Sequence, residues 1–338
     1  MNRLITASLA AASIVVMSHA AQAAPKVIAS IKPVHSLVAG VMDGIGVPTL
    51  LVEGGGSPHT YSLKPSQASG LEQADIIFWI GGQLEAFLEK PVATIGAKAR
   101  SVELAHGPGL TMLEKREGGP FEAHVHHDDD HDRDHKDTDH KEHAEHKDDD
   151  HDHEKKHEHE HEEHVGGDLH IWLDPENAKA MVRVIAGELM HADAANAARY
   201  RHNADAMLKL LEHLNREIAS NLAPLKDRQF IVFHDAYQYF EHRFGLHAAG
   251  SITVSPETLP GAERIREIKG RIAKLGAACV FTEPQFEPKL VRVVTEGTAV
   301  KTGVLDPLGA DIADGPKLYF TLIRSMAASM RGCLAPKS

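Results

Sequence analysis

The chain has 338 residues, a formal net charge of −12, 25 histidines and two cysteines, a length that accommodates two domains of ordinary size. The charge is unevenly spread: residues 122–164 hold 19 acidic and 6 basic residues, which leaves the remainder close to neutral at +1. A neutral body with one acidic run excludes a nucleic-acid partner, because that run repels phosphates, and it favours divalent cations instead.

Residues 1–23 have the composition of an export signal. Arg3 supplies the basic start, residues 4–17 are apolar and small, and Ala21-Gln22-Ala23 fits an A-x-A cleavage site. The mature chain is expected to begin at Ala24 and to be exported and soluble. A membrane anchor is the competing explanation, but the apolar run falls short of the roughly 20 residues a span needs. No later run is long enough either, so the chain is not expected to be embedded in a membrane.

Apolar runs at 27–31, 47–52 and 76–80 end in Lys-Pro or glycines, and 101–104 forms a fourth. Helical spacing lies between them, as in Val34, Leu37, Val38 and Val41. Strands alternating with short helices predict a parallel sheet built from βαβ units.

Residues 118–167 interrupt this pattern. Gly118-Gly119-Pro120 and Gly166-Gly167 bracket a run in which 14 histidines fall among Asp, Glu and Lys: His124, His126, His127, His131, His135, His140, His143, His146, His151, His153, His157, His159, His161 and His164. With no apolar face to bury, the run is predicted to be disordered. Histidine-rich tracts of this composition bind metals; a solvated acidic linker is the plain alternative.

After the insert, 169–173 is apolar, and Asp174-Pro175-Glu176 supplies an N-cap, an N1 proline and a first-turn acid for a helix to about 190. A second helical stretch covers 194–222, where Met207, Leu211, Leu214, Ile218 and Leu222 recur at helical spacing. At about 40 Å long it is a candidate rigid connector. The strand–helix alternation then restarts, with apolar runs at 230–233, 249–254, 277–281 and 303–305. Helical stretches fall at 236–243, 261–275, 288–296 and 318–330. The expected fold is α/β, with two lobes joined by one long helix. Each lobe has a mostly parallel sheet flanked by helices. The boundaries are 1–23 for the signal, 24–193 for the first lobe with its insert, 194–222 for the linking helix and 223–338 for the second lobe. The cysteines, Cys279 and Cys333, form either one disulfide closing a loop of about 55 residues, worth roughly 4 kcal/mol, or two buried thiols.

Ligands of open α/β sheets sit beyond the carboxyl ends of the strands. There the chain places His59, His170, His234, Glu283 and Asp306. Three imidazoles with a carboxylate or water suit tetrahedral Zn²⁺. The remaining body histidines, His35, His106, His191, His202, His213, His242 and His247, are expected to be solvated.

The segments Gly56-Ser57-Pro58-His59-Thr60-Tyr61, His170-Ile171-Trp172-Leu173-Asp174-Pro175, Phe233-His234-Asp235-Ala236-Tyr237, Thr282-Glu283-Pro284-Gln285-Phe286 and Leu305-Asp306-Pro307-Leu308-Gly309 resemble the zinc-binding periplasmic component of high-affinity zinc uptake ABC transporters. The resemblance covers essentially the mature chain. It implies metal in the cleft between two lobes, capture of Zn²⁺ for an inner-membrane permease, and ligands at His59, His170 and His234. Relatives that carry manganese tend to have a carboxylate at the place of His234. Some zinc members have Glu before the first histidine; here Pro58 excludes that ligand, leaving Asp306, water or a residue of the insert. The resemblance also implies a Cys279–Cys333 disulfide. A monomer is expected.

Two other functions compete with transport. A metal buffer without a transporter uses the same site. A zinc hydrolase is suggested by His157-Glu158-His159-Glu160-His161, which matches H-E-x-x-H in letters. That motif needs an amphipathic helix and lies here in a polar tract, so the chain is read as a non-enzyme.

Overall fold

A computed structural model describes residues 23–116, 118, 121, 167–253, 260–275 and 277–335. The export signal, the insert histidines and the expectation of disorder in the insert lie outside these residues. The first sheet contains β1 (Val27–Ala29), β2 (Thr49–Leu50), β3 (Ile76–Trp79) and β4 (Arg100–Glu103), in the order β2-β1-β3-β4 and all parallel. Helices α1 (Lys32–Val41), α2 (Pro65–Gln73) and α3 (Ala86–Thr94) make the crossovers.

The second sheet repeats the plan. Strands β5 (Phe230–His234), β6 (Ala248–Thr253), β7 (Cys279–Thr282) and β8 (Lys301–Val304) lie in the order β6-β5-β7-β8, again all parallel. Their crossovers are α6 (Gln238–Phe244), α7 (Ala262–Leu275) and α8 (Lys289–Thr295), and α9 (Leu318–Leu334) closes the chain. Between the sheets run α4 (Pro175–Ala192) and α5 (Ala197–Leu222).

The inner strands β1, β3, β5 and β7 are short and largely apolar because both faces of each sheet are covered there. Alternation divides their residues between cores. Val27, Ala29, Ile76 and Phe78 enter one core, which also takes Phe230, Val232, Cys279 and Phe281 from the second sheet. Ile28, Ile77 and Trp79 pack under α2 and α3; Ile231, Phe233 and Val280 pack under α7 and α8. The shared core is filled by α1, α4, α5 and α9. Helix α5 contributes Tyr200, Ala204, Met207, Leu211, Leu214, Ile218 and Leu222 at spacings of three and four. Its 26 residues span about 39 Å at 1.5 Å per residue, so one rigid rod underlies both lobes. Asp174 caps α4, accepting a hydrogen bond from the Glu176 N–H at 2.8 Å, as the sequence predicts.

The apolar run at 169–173 contains a single 3₁₀ turn, Ile171–Leu173, that feeds α4. The helical stretch expected from about 194 opens with a 3₁₀ turn at Ala194–Asn196 and continues as α5. The cysteines are joined: Cys279 on β7 and Cys333 on α9 form a disulfide with Cα atoms 5.8 Å apart. Among the described residues no helix is long and apolar enough to cross a membrane.

Candidate metal centre

His234 is the last residue of β5. Phe230 and Val232 face the shared core, so the two-residue period turns His234 the same way, toward the first lobe. The same parity in β7 carries Cys279 and Phe281 inward and then Glu283. Because β5 and β7 are paired, Glu283 arrives beside His234, and its Oε1 lies 2.7 Å from His234 Nδ1. Both residues are buried.

His170 caps the 3₁₀ turn before α4. Asp168, two residues earlier, accepts the His170 backbone N–H at 3.0 Å and lies 2.7 Å from its Nδ1. His59 sits in the loop between β2 and α2. Tyr61 pins that loop by donating to the Leu51 carbonyl at 3.0 Å, and Gln67 donates to the Tyr61 hydroxyl at 2.9 Å.

These segments bring three imidazoles to one point. Nε2 of His170 lies 3.3 Å from Nε2 of His59 and 3.4 Å from Nε2 of His234, and one ligand atom from each histidine falls within 4.8 Å of the others. A tetrahedral ion with Zn–N bonds near 2.0–2.1 Å sets its nitrogens about 3.3–3.4 Å apart. The carboxylates on Nδ1 of His170 and His234 hold protons there and turn bare Nε2 lone pairs inward. Lone pairs this close repel unless a cation or proton stands between them. The space beside them is about 10 Å³, lined by Trp172, Phe286, Pro307 and Leu308 among others. That is the room of about one water, far below the few hundred Å³ of an organic substrate pocket.

Burial holds His59 well below the usual histidine pKa, helped by the charges of His170, His234 and Lys115. Burial likewise holds His170 well down, with His234 and Lys115 adding to it. Burial also pulls on His234, but the charge and hydrogen bond of Glu283, with Asp235 and Asp168, outweigh it and leave the pKa raised. Burial pushes Asp168 up to about 7 against its hydrogen bond from His170.

Asp306, expected as a possible fourth ligand, is not brought into this set. Its Oδ1 accepts from the Leu308 and Gly309 N–H groups and from Gln285 Nε2, and its Oδ2 from the Ala310 N–H, at 2.6–3.0 Å. The carboxylate is spent on folding the loop whose Pro307 and Leu308 wall the site. His35 is not solvated either. It is buried on α1 with Nε2 3.1 Å from the Pro48 carbonyl, while the other six body histidines set aside are exposed. Sequence reasoning missed Asp168; its signal is the Asp-x-His spacing at the end of the insert.

The two ends of the insert meet beside this centre. Glu114 and Gly167 form an antiparallel bridge, and the Asp168 N–H donates to the Leu113 carbonyl at 2.8 Å. Tyr239 of α6 ties both ends, accepting from the Leu113 N–H at 3.1 Å and donating to the Asp168 carbonyl at 2.6 Å.

A family model described as "ZnuA: Zinc-uptake complex component A periplasmic" matches residues 27–333. The "High-affinity zinc uptake system protein ZnuA" of Brucella suis biovar 1 (strain 1330) is 56% identical over 310 residues, covering 91% of each chain. A crystal structure of ZnuA superposes with a TM-score of 0.71 at 24% identity, over 92% of this chain and 100% of that one. The periplasmic zinc-binding protein TroA of Treponema pallidum gives a TM-score of 0.70 at 17% identity, over 93% and 100%. At such identities the two structures speak for the fold alone.

Proposed function

Since the chain belongs to the family of periplasmic zinc-uptake complex component A, a solute-binding family and not an enzyme family, we propose that it captures Zn²⁺ between its lobes and delivers it to the inner-membrane permease of an ABC importer. The observation that carries this is the 3.3–3.4 Å spacing of the Nε2 atoms. Zinc is the ion bound, with His59, His170 and His234 as ligands and water as the fourth. Three neutral imidazoles suit zinc better than manganese, which favours carboxylate oxygen.

The export signal at 1–23 is removed after Ala23 and the mature chain works as a periplasmic monomer. The histidines of 124–164 gather zinc weakly and exchange it fast, because a segment without a preformed site must be ordered by each ion it holds.

Calorimetry with a competing chelator tests the site. In a chain lacking 124–164, His59→Ala, His170→Ala and His234→Ala should each lose the single tight site. Wild-type affinity in all three would exclude this ligand set. Delivery is tested by growth under chelation, where loss of this chain and loss of the permease should give the same defect.

A further inference from the structure

Two ligands stand on the first lobe and one on the second, so an ion bound by all three depends on how His234 is held against its partners. We propose that Arg116 is a positioning residue for zinc: it locks the lobe that carries His234 to the segment that orients His170. The inference rests on the zinc function above and concerns how the site retains its ion.

Arg116 lies two residues beyond Glu114, whose bridge to Gly167 stands next to Asp168. Its guanidinium crosses to the second lobe and engages two carboxylates. Nε and Nη2 donate to Asp235, the former at 3.0 Å, and Asp235 directly follows His234. Nη1 and Nη2 donate to Glu241 of α6 at 2.8 and 2.9 Å. Glu241 in turn accepts the Ala248 N–H at 2.8 Å, which extends the tie to β6, the strand beside β5. Phe121 closes the other side, its ring centre 4.1 Å from Arg116 Cζ.

Both carboxylate side chains are nearly buried, at 8% and 3% exposure. Such a cluster holds its geometry tightly, because losing the cation strands two charges out of water. The planar fork matters, since only arginine presents donors along two edges at once; a lysine is a point charge and satisfies one partner at a time. No atom of Arg116 is counted among the ligands; its effect is on where His234 Nε2 sits. Preorganisation of this kind cuts the ordering cost of binding and is read in how slowly the ion leaves.

The test uses the full chain and follows the slow phase of zinc loss to an excess of chelator, alongside the unfolding midpoint of the metal-free protein. Arg116→Met should speed zinc loss about tenfold, the lower end of what losing an outer partner costs a metal site. Its association rate should stay within about twofold, and Arg116→Lys should fall between. A purely structural arginine would lower the metal-free midpoint and leave the slow phase unchanged, and that result overturns the proposal. If Arg116→Met does not fold, the triple variant Arg116→Met, Asp235→Asn, Glu241→Gln leaves no buried charge unpaired. An unchanged slow phase there overturns the proposal equally, and a tenfold faster one supports it. A wild-type chain with no slow phase, or a slow phase that survives His234→Ala, counts against the zinc site itself and not against Arg116.

Discussion

Which nitrogen of an imidazole can meet an ion is decided by what the other nitrogen touches, and here Glu283 and Asp168 decide it for two of the three clustered histidines. Glu283→Gln keeps the shape, but its amide can donate to Nδ1 and so favours the tautomer with Nε2 protonated, which cannot ligate. The expected loss of zinc affinity is about 10- to 100-fold, measured by competition with a chelator, while the circular dichroism of the folded chain stays unchanged. Asp168→Asn should behave alike through His170. Protons compete at the same nitrogens, and the direction of each shift sets the pH dependence. Burial depresses His59 and His170, whereas Glu283 leaves His234 raised, so as pH falls the proton competes with zinc first at His234. Zinc affinity should therefore fall as pH drops, and calorimetry in buffers of different ionisation enthalpy should show proton uptake by the metal-free site growing in step. An affinity independent of pH would contradict this assignment. The three clustered histidines stood out in the sequence because each follows an apolar run or precedes a cap. Asp306 follows a strand too, but its carboxylate is consumed by backbone N–H groups of its own loop, a local competition that position in the sequence does not reveal. His35 shows the same limit, since burial on α1 depends on a helix packed on every side.

At the scale of elements, the two sheets, their βαβ crossovers and the long helix were readable from apolar runs and helical spacing, because parallel strands buried on both faces carry an unbroken apolar signature. Residues 169–173 were not readable: an apolar run of five fits a buried strand or a buried turn equally, and Asp168, His170 and Asp174 select the turn through hydrogen bonds. The attachment of α9 was only half legible. Its apolar period predicts a helix, yet it reaches back to the first lobe: the Tyr319 N–H donates to Ser36 Oγ of α1 at 2.9 Å, and the Tyr319 hydroxyl to the Trp172 carbonyl at 2.7 Å. The Cys279–Cys333 disulfide fixes the far end of that helix to β7 across 54 residues of chain. Replacing both cysteines by serine should cost roughly 4 kcal/mol, the entropy of a loop that long, read as a lower urea midpoint. Zinc affinity should change by less than about twofold, because neither cysteine lies near the three imidazoles. A variant that folds with unchanged midpoint would show that the packing of α9 alone carries the attachment.

For the whole molecule, the shared core decides how zinc reports on stability. Residues of both sheets and of α1, α4, α5 and α9 belong to one apolar cluster, so the two lobes should unfold in one transition even though the histidine cluster draws on both. A ligand held only by the folded state raises stability by RT ln(1 + [L]/Kd), about 4 kcal/mol at a thousandfold excess over Kd. Zinc should therefore move the entire unfolding curve of the metal-free chain upward without splitting it. His234→Ala should abolish most of the shift, since His234 is the second lobe's member of the histidine cluster found among the described residues. Deleting 124–164 should leave the shift at saturating zinc in place while the number of ions bound falls, because the folded body keeps its three imidazoles and loses 14 others. That deletion removes 18 acidic and 6 basic residues and with them the net charge of −12, so its effect at limiting zinc should be greatest at low ionic strength, where an acidic run concentrates cations most. A deletion that erased the zinc-induced shift at saturation would move the tight site into the insert.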